Sequence, residues 1–292
     1  MTAKVLRQLL EQPEILVAPG AVDALTGRLI EEAGFKALYA SGAGIANAQF
    51  GFPDIGLLTL TEMIEAIGRI VKAVDIPVIA DADTGYGNAL NVVRTVQAYE
   101  DAGVAAIQLE DQVTPKKCGH FNGKEVISAR EMAQKIHAAI QARRDMLVIA
   151  RTDSLATHGV DEAVRRANLY AKAGADLIFV EAPTLKDQIA ALPKQVNAPL
   201  LFNMTEGAKS PMIAHEELQE MGYRVVIHPN LVLRIAARAV QSALAVLQKT
   251  HTSELLLSSM LDWDERQRLV RLPEWEALDL ELSRSNAETV SR

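Results

Sequence analysis

Short apolar runs alternate with longer stretches of helical spacing along this chain. Eight runs stand out, at 15–19, 37–41, 77–83, 105–111, 147–153, 177–183, 199–203 and 224–230, several rich in Val and Ile and most ending in a polar or glycine-containing cluster. Between the second and third, Leu60, Met63, Ile64, Ile67, Ile70, Val71 and Val74 recur at intervals of three and four, which predicts an amphipathic helix capped by Thr59 or Thr61. The same spacing predicts helices over 91–102, 129–142, 160–173 and 208–221. Ala-Gly pairs at Ala33, Ala102 and Ala173 each precede a strand and read as helix C-caps. Strand and helix repeated eight times is the pattern of an α/β protein of the (β/α)8 barrel type, here spanning 1–247.

After a polar break at 248–253 the pattern changes. The remainder forms a helical extension over 248–292, with Leu255, Leu256, Leu257, Met260, Leu261 and Trp263 in its first part. Such a segment needs an apolar surface to cover it, either its own barrel or a second subunit.

Polar residues gather where the strands end. Asp81 and Asp83, Glu110 and Asp111, Arg151 and Asp153, Glu181, Asn203, and His228 and Asn230 all fall there, on the face where this fold builds active sites. A dinucleotide-binding sheet is disfavoured, because no G-x-G-x-x-G follows the first strand. The sequence also lacks a Walker loop and a Cys/His zinc spacing.

Asp81 and Asp83 are two apart on a strand and so share a face. Together with Glu110 they form an oxygen-only cluster, costly without a cation and suited to Mg2+ or Mn2+; pairing with a lysine or arginine is the competing reading. Arg151 supplies a planar fork for a substrate carboxylate and Arg234 a second, although Glu181 or Asp153 could instead occupy Arg151. Ser41, Gly42 and Ala43 open a glycine turn whose backbone N–H groups can approach an anion.

The stretch 110–124, E-D-Q-V-T-P-K-K-C-G-H-F-N-G-K, reads as an active-site lid. It holds the only cysteine, Cys118, among Lys117, Gly119 and His120, which are poor core company and favour a thiolate. Its glycines and charges offer little to pack, which predicts a segment more mobile than the strands around it.

Composition adds exclusions. Charged residues make up 23% and mean hydropathy is +0.07, an ordinary globule in which no run approaches the roughly 18 apolar residues of a membrane span. No secretion signal opens the chain, so a cytoplasmic location without a membrane partner is expected. One cysteine allows no intrachain disulfide. A formal charge of -7 argues against nucleic acid as a partner.

At Ser41-Gly42-Ala43, Asp81-Ala82-Asp83-Thr84-Gly85, Glu110-Asp111-Gln112 and Lys116-Lys117-Cys118-Gly119-His120 the sequence resembles the isocitrate lyase and phosphoenolpyruvate mutase superfamily. The resemblance runs over about 17–260 and is greatest to the small lyases acting on methylisocitrate and 2,3-dimethylmalate. It implies a (β/α)8 barrel and a homotetramer, a dimer of dimers with exchanged C-terminal helices. It also implies Mg2+ held by Asp54, Asp81, Asp83 and Glu110, directly or through water. Lys116, Cys118, Gly119 and His120 match the lid, with Cys118 as proton donor. Tyr39, Ser41, Gly42, Ala43, Arg151, Glu181, Asn203, Thr205 and Arg234 match the substrate pocket.

The implied reaction is cleavage of a di- or tricarboxylate to pyruvate and a second carboxylate. The mutases carry asparagine in the cysteine's place, so Cys118 favours carbon–carbon cleavage. Oxaloacetate hydrolysis or decarboxylation and a carboxyphosphonoenolpyruvate-type phosphonomutase are the alternatives, and the intact acid cluster speaks against a non-catalytic scaffold. Two departures, Gly207 and Ala208 after Asn203-Met204-Thr205-Glu206 and Trp263 in place of an arginine, lean toward a dicarboxylate.

Overall fold

The computed structural model describes residues 2–119 and 123–290, with side chains to 284. Eight parallel strands close in sequence order: β1 Leu16–Ala21, β2 Leu38–Ala40, β3 Val78–Asp81, β4 Ala106–Glu110, β5 Leu147–Thr152, β6 Leu177–Val180, β7 Leu200–Asn203 and β8 Tyr223–His228. Closure is made by β1 against β8, with Leu16 beside Val225 and Pro19 beside His228. The (β/α)8 expectation holds, and the eight apolar runs are its strands.

Local chemistry explains the helix ends. Thr59 caps helix Leu60–Ala73: its hydroxyl accepts from the Glu62 N–H, and the Glu62 carboxylate accepts from the Thr59 N–H. Ala33, Ala102 and Ala173 end their helices as expected, followed by Gly34, Gly103 and Gly174 at φ of 88°, 89° and 109°. Glycine enters that region without a Cβ penalty.

Two segments differ from the periodicity. The helix expected over 208–221 starts only at His215, because Gly207 at φ 70° and the N–H-less Pro211 interrupt it and leave 204–214 as a connection. A helix not expected from spacing, Thr2–Leu10, buries Ala3 and Leu6 with the barrel-interior cluster.

Strand alternation decides which residues reach the barrel interior. Tyr39, Ile79, Ala106, Leu147, Ile149, Leu177, Phe179, Leu201, Val225 and Ile227 form the inner cluster, while Leu38, Ala40, Val78, Ala80, Ile107, Val148, Ala150, Ile178 and Val226 join the outer core under the helices. Counting on by twos from the inner set reaches Ser41, Asp81, Asp83, Glu110, Arg151, Asp153, Glu181 and Asn203. Asp111 has the other parity. It lies in the outer layer, where its carboxylate accepts from Thr152, Tyr170 and Arg166.

The chain divides into two compact units, Met1–Ile235 and Ala236–Arg292, so the division falls inside helix Leu231–Thr250. Contrary to the expectation that no run is long enough, this helix has the length and apolarity to cross a membrane, with mean hydropathy 1.4 over its 18-residue window. Arg234 and Arg238 interrupt the run, which hides it from a count of consecutive apolar residues. One such helix is weak evidence for a span. In the second unit Leu257, Met260, Trp263 and Trp275 are exposed, and the Arg266 guanidinium covers the Trp263 ring at 4.0 Å.

Candidate active site

The inward-facing polar residues converge at the C-terminal ends of the strands, around a small cleft that is partly open to solvent. Its walls include Tyr39, Ser41, Ala43, Asp54, Asp81, Lys116, Cys118, Gly119, Arg151, Glu181, Asn203 and Thr205, all singled out from sequence. Phe179, Ile227, Pro229 and Asn230 complete it. Phe179 and Ile227 were legible as the inner-parity residues next to Glu181 and Val225, but apolar residues carry no chemical signal.

The acid cluster is buried. Asp81 and Glu110 are 6% and 1% exposed, and the Asp83 N–H donates to Asp81 Oδ1 at 3.1 Å. Burial first, and then the Asp83 carboxylate, push the Asp81 carboxyl up to about 6. Burial raises Glu110 as well, against the lowering effect of Arg151. Gly42 allows this crowding, since a Cβ there would lie 2.7 Å from Asp81 Oδ2.

Lys116 answers the charge. Its ammonium pairs with Asp54 and lies 2.9 Å from Asp83 Oδ1. Burial alone would lower its pKa, yet Asp83, Glu110, Asp54 and Asp81 together hold it well above the usual value. The competing sequence reading, pairing with a lysine, is thus met for Asp54 and Asp83.

The donor set fits a hard metal ion. All four side chains offer oxygen, and Glu110 Oε1 is buried without a hydrogen-bond partner. Among the described residues no three carboxylate, imidazole or thiolate groups converge as a direct ligand set. An ion here would therefore keep several waters, the habit of Mg2+.

Arg151 adjoins the acid cluster and gathers several carboxylates around its guanidinium. Its Nε and Nη2 donate to Asp153 at 2.9 and 3.1 Å, Nη1 lies 3.1 Å from Glu110 Oε2, and the guanidinium sits 5.1 Å from the Phe179 ring centroid. Its fork is thus taken by Asp153, with Glu181 at 3.8 Å from Nη2. Asn203 Nδ2 is 3.3 Å from Glu181 Oε2, and Thr205 Oγ1 donates to Asn203 Oδ1 at 2.8 Å. On the other side Tyr39 donates to Gln108 Oε1 at 2.7 Å; burial, then Asp81, holds its phenol well above the ordinary range. Ser41 spends its hydroxyl on the Gly44 N–H at 3.1 Å.

The segment after β4 is better anchored than its composition suggested. Gln112 exchanges hydrogen bonds with the Lys117 backbone, and Lys117 Nζ donates to the Gly123 carbonyl. Lys124 is buried, with its ammonium on the Gly119 carbonyl and 2.7 Å from Asp153 Oδ1. Lysines in a sequence look like solvated charges; here buried carboxylates give two of them partners. Cys118 is half-buried on the cleft wall. His120 lies outside the described residues.

Arg234 does not line the cleft. It is exposed, and its guanidinium donates to the Glu206 carbonyl. Trp263 belongs to the second compact unit.

Gly119 sits flush against the charged wall, where a Cβ would fall 2.2 Å from Glu181 Oε1 and 2.4 Å from Arg151 Nη2. Gly119→Ala must displace either the loop or the two charged groups. The expected loss in kcat/KM is on the order of 100-fold, because small misplacements of positioned groups carry that penalty. Steady-state kinetics check it, and an unchanged kcat/KM would show that the loop is not seated there during turnover.

A (β/α)8 barrel with oxygen donors, a paired lysine, an arginine and a thiol around one strand-end cleft defines an enzyme class acting on small anions. The sequence profile of the phosphoenolpyruvate phosphomutase family matches residues 6–248, and the chain belongs to that family. It is similar to 2,3-dimethylmalate lyase of Eubacterium barkeri, 44% identical over 273 residues, covering 93% of this chain and 94% of the relative. Among solved structures it is similar to oxaloacetate acetylhydrolase in complex with 3,3-difluorooxalacetate, at TM-score 0.92, 35% identity and 97% coverage of both chains. It is also similar to a phosphonopyruvate hydrolase complex with oxalate and Mg++, at TM-score 0.87, 31% identity and coverage of 96% and 98%.

Proposed function

We propose that this protein is a Mg2+-dependent carbon–carbon lyase. Its substrate is a 2-hydroxy dicarboxylate of the alkylmalate type, such as 2,3-dimethylmalate or a methylisocitrate-like acid, cleaved to pyruvate and a second carboxylate. The observation that carries this reading is that Cys118, Arg151, Lys116, Asp54 and Asp81 line one cleft.

Asp54, Asp81, Asp83 and Glu110 are the residues that would hold the metal, and Mn2+ suits the same donors. When bound, the ion supplies positive charge beside the substrate hydroxyl and its neighbouring carboxylate, lowering the cost of ionising the hydroxyl. Arg151, its fork held by Asp153, contributes positive charge at the cleft wall, and Ser41, Gly42 and Ala43 bring backbone near the anion. Glu181, Asn203 and Thr205 orient the substrate through their linked polar groups.

The C2 hydroxyl gives its proton to solvent at the partly open cleft and its oxygen becomes the pyruvate carbonyl, while the C2–C3 bond breaks and leaves its electron pair on the departing fragment as an enediolate. The Cys118 thiol then gives that carbon its proton, leaving a thiolate, while the surrounding loop with Lys116 and Gly119 limits competing protonation by water. Tyr39 stays protonated, donates to Gln108 and presents its oxygen as an acceptor on the cleft wall. The Glu206 carboxylate turns to His228 and is not part of the cleft wall.

The exposed apolar side chains of Ala236–Arg292 support a homotetramer with exchanged C-terminal helices, since such a surface calls for a covering partner. We place the enzyme in the cytoplasm, with neither nucleic acid nor membrane as a partner.

The test is product formation with Mg2+ from 2,3-dimethylmalate, 2-methylisocitrate and oxaloacetate in parallel. The highest kcat/KM is expected for pyruvate release from 2,3-dimethylmalate. Turnover confined to oxaloacetate would replace this reading with the hydrolase or decarboxylase one, which the likeness to oxaloacetate acetylhydrolase favours as the second choice.

A further inference from the structure

We propose that His228 is a positioning residue for substrate binding: through Glu206 it fixes the connection 204–214, and with it Asn203 and Thr205 at the edge of the cleft. The inference rests on the reading of that cleft as the substrate site.

Strand parity sets the geometry. Ile227 belongs to the inner cluster, so the next residue, His228, turns away from the barrel interior at the end of β8. There its Nδ1 lies 2.7 Å from Glu206 Oε1, and its Nε2 lies 2.9 Å from Nε2 of His215, the first residue of helix His215–Met221. The two rings meet edge to face at 5.1 Å.

Two ring nitrogens in contact hold one proton between them. With Glu206 ionised, His228 Nδ1 must carry a proton and donate it to the carboxylate. His215 then supplies the Nε2–H, and His228 Nε2 accepts it, which fixes the His228 tautomer. Burial, followed by the neighbouring His228, lowers the His215 pKa, with Glu216 opposing, and a neutral His215 suits this arrangement.

The other end of the chain is the cleft. Thr205 donates to Asn203 Oδ1, and Asn203 approaches Glu181. Glu206 is therefore the joint between an outer histidine pair and an inner substrate-facing set. The connection it belongs to has little regular backbone pairing: Met204 N–H donates to Ile227 and Ala208 N–H to Thr205. Side-chain anchors consequently decide where it sits. Glu206 Oε2 is buried with no hydrogen-bond partner, so a carboxylate deprived of His228 would move toward water and pull Thr205 with it.

The experiment compares His228→Leu, which removes the donor, with His228→Asn, whose amide can occupy the Nδ1 position. His228→Leu is expected to raise KM on the order of tenfold with kcat within about threefold, the signature of lost binding. It should also speed deuterium uptake across 204–214. His228→Asn is expected to stay near the parent protein in both. If His228→Leu does not fold, His215→Leu, which withdraws the outer anchor, is read in the same way. Unchanged KM and uptake in the leucine variant, or equal losses in both His228 variants, overturn the proposal. Deuterium uptake needs no substrate. Faster uptake in a protein that turns over none of the three acids would sink the lyase reading and leave the brace standing, whereas full activity with unchanged uptake would do the reverse.

Discussion

Cys118→Ser is expected to lose most lyase turnover while binding substrate and metal almost as the parent does. The side chains are nearly the same size, so the half-buried position beside Gly119 accommodates either. What changes is acidity. An alcohol is a far weaker acid than a thiol with its ordinary pKa of about 8.5, and so a poor donor to an enediolate near neutrality. General acid catalysis contributes on the order of 10²–10⁴-fold, and kcat should fall by that much or more with KM within a few-fold. Oxaloacetate decarboxylation should suffer much less, because solvent can protonate the enolate it forms. Near-parent lyase turnover in the serine variant would remove the thiol from the mechanism.

Chelation should abolish activity, and Mg2+ or Mn2+ should restore it. Lys116 pairs with Asp54 and Asp83 and Arg151 with Glu110, while Asp81 is buried beside them with no salt bridge of its own among the described residues. Burial first, and then the Asp83 carboxylate, raise the Asp81 pKa to about 6, so the site holds its negative charge at a cost that a cation would relieve. Because Lys116 is present, the chelated protein should stay folded. Added Mg2+ should raise its thermal midpoint in a concentration-dependent way, as any ligand binding only the native state does. Full turnover after exhaustive chelation, or a midpoint indifferent to Mg2+, would count against the metal.

Much of the molecule was legible before folding. The eight apolar runs are the eight strands, and Asp81, Glu110, Arg151 and Asn203 at their ends share the inner parity because side-chain direction along a strand has a period of two. That period is a property of the local backbone, so it survives without knowledge of any neighbour. The Ala-Gly helix ends and the Thr59 cap were equally local, each decided within a few residues.

What escaped depended on residues far apart in the chain. Lys116 and Asp54 are 62 positions apart, and Lys124 and Asp153 are 29 apart, so no spacing rule joins them. Burial turns these lysines from solvated charges into anchors for the loop that carries Cys118. Arg234 reads from sequence as a cation for the substrate, yet the path of 204–214 gives its guanidinium the Glu206 carbonyl instead. The same path brings Glu206 to His228 and His228 to His215. Periodicity thus settled the barrel and which polar residues of the strand ends face inward, and the resemblance added Asp54, Lys116 and Thr205. The partners of each charge were decided only by the loops, whose conformation follows from burial and long-range ion pairing, not from local repeat.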